Sequence, residues 1–269
     1  MIKIYRGLFA AFLTVAVAAI AVVAQSRPLP FGPGETLSYE AKLNKIIGIG
    51  PVADLVFTVS NGQNPGDLNI KADASSKGTL LRIARFSFLY QFSSDIDGKR
   101  FRIDRTQRKT AEKEKLRNGV ANFDYTQGRV TYVETDPAEP MKPPRKIASG
   151  IEDETHDVVS GIYALRLLPL AVGKTFHLTI SDSGLVYDVP VRVTARELQK
   201  TILGKNWCLR LEPDVFGPGN MIESKGAMAI WVADEASRIP VRSRIETPLG
   251  RVDVRLRSIG DPKSPRAVK

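Results

Sequence analysis

The chain has 269 residues, with 39 Lys or Arg against 29 Asp or Glu, giving a net charge of +10. Apolar residues make up 43% and charged ones 25%, globular values that exclude wholesale disorder, a collagen-like repeat and a multi-span membrane protein. One Cys and two His exclude an intramolecular disulfide framework and a multi-Cys zinc site, and leave little for His-rich metal or triad chemistry.

The N-terminus reads as a secretory signal peptide over residues 1–24. Lys3 and Arg6 form a positive start, and Leu8 to Val23 carries no charge. Val22-Val23-Ala24 offers small or modest residues before a cleavage point at Gln25. The apolar run falls short of the ~20 residues of a spanning helix, and no Cys follows the site to carry a lipid anchor. Removing Lys3 and Arg6 lowers the charge to +8. Export also moves that charge away from chromosomal DNA and tRNA, so nucleic acid is not an expected partner. A basic exported protein meets anionic lipid headgroups and acidic polysaccharide instead. The expected location is the periplasm of a Gram-negative-type envelope, or the exterior.

Residues 25–260 read as one β-rich domain, with a possible subdivision at the Pro-rich loop 136–146. Period-2 alternation marks the strands. Leu37, Tyr39, Ala41 and Leu43 alternate with Thr36, Ser38, Glu40 and Lys42. Similar alternation covers 55–60 and 68–75, with turns at 48–51 and 61–66 between them. Gly78 to Arg85 is a candidate short helix. Phe86, Phe88, Tyr90 and Phe92 share one strand face. Asp95-Ile96-Asp97-Gly98 ends that strand in a turn. Lys99 to Arg117 holds nine Lys or Arg against three Asp or Glu, with Phe101 its one aromatic. That poverty in aromatics does not suit base stacking.

The better helix spans Glu152 to Leu168. Val158, Val159, Ile162 and Leu165 fit a 3.6 period, the acidic run 152–154 favours its N-terminus, and Pro169 and Gly173 end it. His156 beside it suits a capping or surface role. Residues 189–195 and 207–211 alternate again, and Cys208 reads as a small strand residue. Residues 227–233 (Ala-Met-Ala-Ile-Trp-Val-Ala) are apolar on both faces, the pattern of a central strand. The last hairpin sets its own register. A two-residue turn at 248–249 pairs Ile245 with Val252, Ser243 with Val254 and Val241 with Leu256 on an apolar face. On the other face it pairs Glu246 with Arg251, Arg244 with Asp253 and Arg242 with Arg255. Arg242, Arg255 and Arg257 are left without opposite charges and form a candidate patch for an anionic surface. Residues 261–269 read as a frayed tail.

No phosphate-binding loop, His-Glu-x-x-His or Gly-x-Ser-x-Gly motif occurs. No catalytic residue, metal or cofactor is therefore expected. Several stretches resemble a bacterial family, the domain of unknown function 3108. Phe31-Gly32-Pro33-Gly34-Glu35-Thr36-Leu37-Ser38-Tyr39 resembles its opening Pro-Gly-Glu-x-Leu-x-Tyr. Asp157 to Arg166 resembles its central helix, with Ala164 where the family often carries an aromatic. Gly204 to Cys208, Ile230 to Asp234 and Arg238 to Val241 resemble its later strands. The resemblance runs from about residue 30 to 258. It implies an exported β-rich envelope protein and transfers no activity.

The expected fold is mainly β: a curled antiparallel sheet, open barrel or sandwich, with one central helix. A sheet this large must close, curl or be covered. A curled sheet with a helix over its mouth offers an apolar cavity. Candidate ligand-binding residues are Phe86, Phe88, Tyr90, Phe92, Tyr163 and Trp231. The expected function is non-enzymatic binding of a hydrophobic or amphiphilic envelope component. The alternative is a structural or assembly factor for an envelope protein or polysaccharide.

Overall fold

The computed structural model describes residues 29–44, 50–78, 87–113, 115–248 and 250–260. The signal segment 1–24, the run 79–85, Phe86 and the tail from Asp261 lie outside these residues. The N-terminal strands are β1 (Thr36–Leu43), β2 (Pro51–Asn61), β3 (Leu68–Ser76), β4 (Phe88–Asp97), β5 (Arg102–Glu112), β6 (Lys115–Asp124), β7 (Arg129–Thr135) and β8 (Arg145–Gly150). After them come β9 (Thr155–Asp157), the helix α1 (Val158–Ala164), β10 (Thr175–Asp182), β11 (Leu185–Thr201), β12 (Gly204–Pro213), β13 (Ala227–Ala233), β14 (Pro240–Thr247) and β15 (Gly250–Gly260).

All fifteen strands join one sheet in the order β8-β7-β6-β5-β4-β3-β2-β1-β15-β14-β13-β12-β11-β10-β9. Two meanders therefore run outward from a seam where β1 pairs antiparallel with β15. Every ladder is antiparallel except β9 with β10. The outermost strands, β8 and β9, do not pair, so the sheet curls without closing. Curling is what brings its far ends into contact. Gly184, in the β10–β11 turn, seats against Tyr132 of β7 and Ile147 of β8, and its carbonyl accepts from Ser149 Oγ at 2.7 Å. Arg108 of β5 donates to Ser183 Oγ at 2.8 Å in the same turn.

The inner face forms the main core around α1. Val59, Ile70 and Ile96 from one meander meet Val191, Leu211 and Val232 from the other, with Val159 and Tyr163 of the helix between them. Burial of these alternating residues is the chief stabilising contribution, at about 1.5–3 kcal/mol for each large side chain.

The helix is shorter than its sequence pattern. Thr155-His156-Asp157 pairs with Thr179-Ile180-Ser181 as strand, so the acidic residues 152–154 lie before a strand rather than in a first helical turn. The start is fixed by a capping box. Asp157 Oδ1 accepts from Ser160 N at 2.6 Å, and Ser160 Oγ accepts from Asp157 N at 2.9 Å. Asp157 Oδ2 also accepts from Ser94 Oγ and from Thr106 Oγ1, which ties the helix start to β4 and β5. His156 is neither a cap nor on the surface. It is 8% exposed against Phe101, and desolvation lowers its pKa to about 4, partly opposed by neighbouring Asp157.

Among the described residues no helix is long and apolar enough to cross a membrane.

Candidate functional site: an apolar cavity under the helix

A cavity of about 300 Å³ lies inside the curl. Leu37, Leu55 and Phe57 of β1 and β2 form one side, and Val191, Met228 and Ile230 of β11 and β13 form another. Val158, Ile162 and Tyr163 of α1 cover it. The β12–β13 connection adds Val215, Met221 and Ile222. That connection is itself braced by a bridge from Phe216 to Ile222 and by Asn220 Nδ2 donating to Phe216 O at 2.7 Å. Gly161 lets the helix lie close to β10: a Cβ there would come within 2.6 Å of Ile180 Cδ1.

Two guanidiniums reach the wall, and both are already engaged. Arg166, with its side chain 1% exposed, donates to both Glu35 carboxylate oxygens at 2.6 and 2.9 Å. It also donates to Pro30 O at 3.1 Å and to Ser237 O at 2.9 Å. Its guanidinium lies over the Phe31 and Tyr163 rings at 4.8 and 5.2 Å. This cluster clips the segment before β1 to the end of α1 and to the β13–β14 turn. Tyr163 lies beside Glu35, and burial followed by that carboxylate pushes its hydroxyl pKa well up. Tyr39 is also held neutral by burial, and its hydroxyl donates to Pro240 O at 2.8 Å.

Arg242 is the second guanidinium. It donates to Asp253 at 2.6 Å and lies over the Trp231 ring at 4.8 Å. Asp253 is 5% exposed and also meets Arg244 and Arg251 at 3.5 and 3.3 Å. These guanidiniums hold its carboxyl below the usual range against the opposing effect of burial. The wall thus presents apolar surface with its charges already compensated.

The structure separates the residues singled out from sequence. Tyr163 faces the cavity. Phe88, Tyr90 and Phe92 share a face of β4, but none of them reaches the cavity. Phe88 stacks on Tyr90 at 5.2 Å, Tyr90 donates to Glu112, and Phe92 packs against the main core. Phe86 lies outside the described residues. Trp231 is on the side of β13 opposite Met228 and Ile230, is 2% exposed and donates Nε1–H to Glu197 at 2.8 Å.

The expectation that Arg242 and Arg257 lack opposite charges is corrected. Arg242 reaches Asp253 diagonally, and Arg257 pairs with Glu40 on β1, a neighbour that the hairpin alone does not reveal. Arg255 is exposed and makes no ion pair among the described residues. Cys208 is fully buried, and burial with nearby carboxylates pushes its thiol up to about 11. Among the described residues no cluster of three or more His, Cys, Asp or Glu is arranged to hold a metal.

The wall residues missed from sequence did carry a signal. Leu37, Leu55, Phe57 and Val191 lie on the apolar side of the alternation, although alternation alone does not tell a filled face from a vacant one.

An open antiparallel sheet curled around a helix and an apolar cavity defines a β-barrel-like architecture. The chain belongs to the family described as protein of unknown function (DUF3108), matched over residues 38–257. No curated protein matches it. Among solved structures it is similar to a β-barrel-like protein of the domain of unknown function DUF1849 from Brucella abortus. The identity is 12% and the TM-score 0.56, over 86% of this chain and 98% of that one. A Bacteroides fragilis protein with a YmcC-like fold, provisionally described as exported, aligns at 11% identity and a TM-score of 0.37. That alignment covers 87% of this chain and 98% of that one. The first likeness extends to the fold alone.

Proposed function

We infer that the protein is an exported, non-catalytic binder of an amphiphilic envelope component whose apolar tail occupies the cavity. The apolar lining carries this reading: Leu37, Leu55, Phe57, Val191, Met228 and Ile230 face one space beneath α1. Protein interiors hold few voids larger than a water molecule. Apolar atoms that enter this space gain burial at about 25 cal/mol per Å². The volume sits at the lower end of small-molecule pockets, about 300–1,000 Å³. Because Arg166 and Arg242 are already paired, the wall favours a neutral chain and leaves a charged headgroup outside.

The test uses a dansyl-labelled fatty acid and protein purified without detergent. Saturable binding with a blue-shifted dansyl emission is expected. Met228→Trp, which fills the cavity, should abolish binding while thermal unfolding stays cooperative. No binding to the native protein, or undiminished binding to a folded Met228→Trp variant, overturns the reading. Purification with a stoichiometric protein partner and no extractable lipid replaces it with the assembly-factor alternative.

A further inference from the structure

The β11–β12 hairpin extends beyond the sheet that carries it. β10 pairs with β11 only as far as Arg192, and β13 pairs with β12 only over Cys208–Leu211. From Gln199 to Asn206 the two strands pair with each other alone, while Trp207 O still accepts from Asp234 N at 2.9 Å. At about 3.4 Å per residue, the tip stands about 14 Å beyond the last β13 partner. A free two-stranded ribbon is marginal in water, and this one is braced on one face. There Glu197 accepts from Trp231 Nε1 at 2.8 Å, and Gln199 accepts from Arg242 at 3.4 Å.

The other face is unpartnered. Leu198 opposes Trp207, Lys200 opposes Lys205, and the turn is Ile202-Leu203. Leu198, Ile202, Leu203 and Trp207 are 51, 45, 40 and 48% exposed. Four of the eleven exposed large apolar residues among the described residues thus lie within ten positions.

Leu198 opposite Trp207 supports the hairpin, but its turn and its Lys200–Lys205 pair do not. Two-residue turns favour Asn, Asp and Gly rather than Ile-Leu, and like charges directly opposite are destabilising. Lys200 and Lys205 make no ion pair among the described residues, and the acidic residue on their side, Asp234, is taken by Arg196. Arg196, on the same face, lies over the Trp207 ring at 4.6 Å while bound to Asp234. An apolar tip ringed by cations, with a Trp at the boundary, matches the requirements of an anionic bilayer surface. There the apolar side chains enter the interface, the lysine stems extend toward the headgroups, and the ammonium groups meet phosphates.

We propose that this tip docks the protein on anionic phospholipid bilayers. The site is separate from the cavity and does not depend on what the cavity holds.

The test titrates the protein with vesicles of phosphatidylglycerol and phosphatidylcholine, and with phosphatidylcholine alone, reading tryptophan emission and co-sedimentation. Trp231 is buried, so a blue shift reports Trp207. Anionic vesicles should give the shift and brominated lipid should quench it. Lys200→Glu/Lys205→Glu should weaken partitioning about tenfold or more, and Ile202→Ser/Leu203→Ser should weaken it comparably. Trp207→Phe should remove the shift but leave most of the co-sedimentation. All these positions are exposed, and near-ultraviolet circular dichroism together with dansyl fatty-acid binding checks that the domain is intact.

The apolar run at residues 8–23 contributes equally to native protein and variants wherever it is retained, so the comparison isolates the tip. The proposal is overturned by no binding to anionic vesicles, by equal binding to phosphatidylcholine alone, or by folded tip variants that bind as the native protein does. Each of these results leaves the cavity reading to its own assay.

Discussion

Replacing Glu35 with Gln tests the clip that closes one end of the cavity. The substitution keeps the side-chain shape and removes the charge facing Arg166. Arg166 is buried to within 1% of its side chain, so water cannot replace the lost carboxylate. Breaking a buried pair by removing one partner costs about 3–5 kcal/mol. For a domain of this size, 1 kcal/mol moves the melting temperature by about 2–4 °C, so a fall of about 6–20 °C is expected. Urea unfolding followed by circular dichroism at pH 7 gives the free energy directly. Arg166→Met strands Glu35 and the carbonyls of Pro30 and Ser237 instead. The double variant should depart from additivity by about 0.5–3 kcal/mol, as contacting residues do. Because Arg166 and Tyr163 also line the cavity, dansyl fatty-acid binding should weaken in the same variant. A Glu35→Gln protein within about 0.5 kcal/mol of native, the range of an ordinary surface change, would show that Arg166 does not depend on this carboxylate.

Four further substitutions test other parts of the fold. Burial holds the His156 pKa at about 4 in the folded protein against its ordinary 6.5, so the unfolded chain binds the extra proton between those values. Its contribution is present above pH 6.5 and lost as pH falls through about 4; the shift corresponds to about 3 kcal/mol. His156→Phe should flatten the pH dependence of urea midpoints in that window, and an unchanged slope would contradict the assignment. Gly184 has φ +81°, and a Cβ there would come within 2.5 Å of Tyr132 Cβ. Gly184→Ala should cost about 2–5 kcal/mol through left-handed strain and overpacking. Gly173→Ala, at φ +84° with open space around it, should cost only the strain, about 1–2 kcal/mol. Equal losses would refute docking of the β10–β11 turn on β7 and β8. Asp253→Asn leaves three guanidiniums without their shared carboxylate. The expected loss is about 1–3 kcal/mol in thermal or urea unfolding, reduced because Arg244 and Arg251 still reach water.

Where neighbours in sequence are neighbours in space, the fold is legible from the chain. The β14–β15 ladder follows the register set by its turn from Arg242↔Arg255 to Thr247↔Gly250. β1 and β13 span the stretches marked by alternation and by two-faced apolarity. The seam between β1 and β15 joins residues more than 200 positions apart, and no local pattern encodes it. That unseen neighbour is why Arg257 looked unpaired, since its partner Glu40 lies across the seam. The helix was overextended for a related reason: Thr155-His156-Asp157 suits a helical period locally, but its backbone groups are taken by β10. The three-residue spacing of Asp157 and Ser160 was the local clue to the true start.

The cavity is harder to read because volume is a property of curvature. Tyr163, Leu37 and Phe57 are apolar residues on inward faces, and so is Phe92, yet only the first three border the cavity beneath α1. What divides them is where α1 lies, and that depends on distant constraints. The Asp157 cap is tied to Ser94 and Thr106, the helix end is tied through Arg166 to Glu35, and Gly161 permits close approach to Ile180. These ties hold α1 close to β10 and fasten its start to β4 and β5, while Leu37, Leu55 and Phe57 face the space that remains. Polar residues that look like surface decoration in the sequence therefore determine the size of the apolar site. Substitutions at Asp157 or Glu35, which add nothing apolar to the wall, should alter ligand capacity as strongly as substitutions in the wall itself.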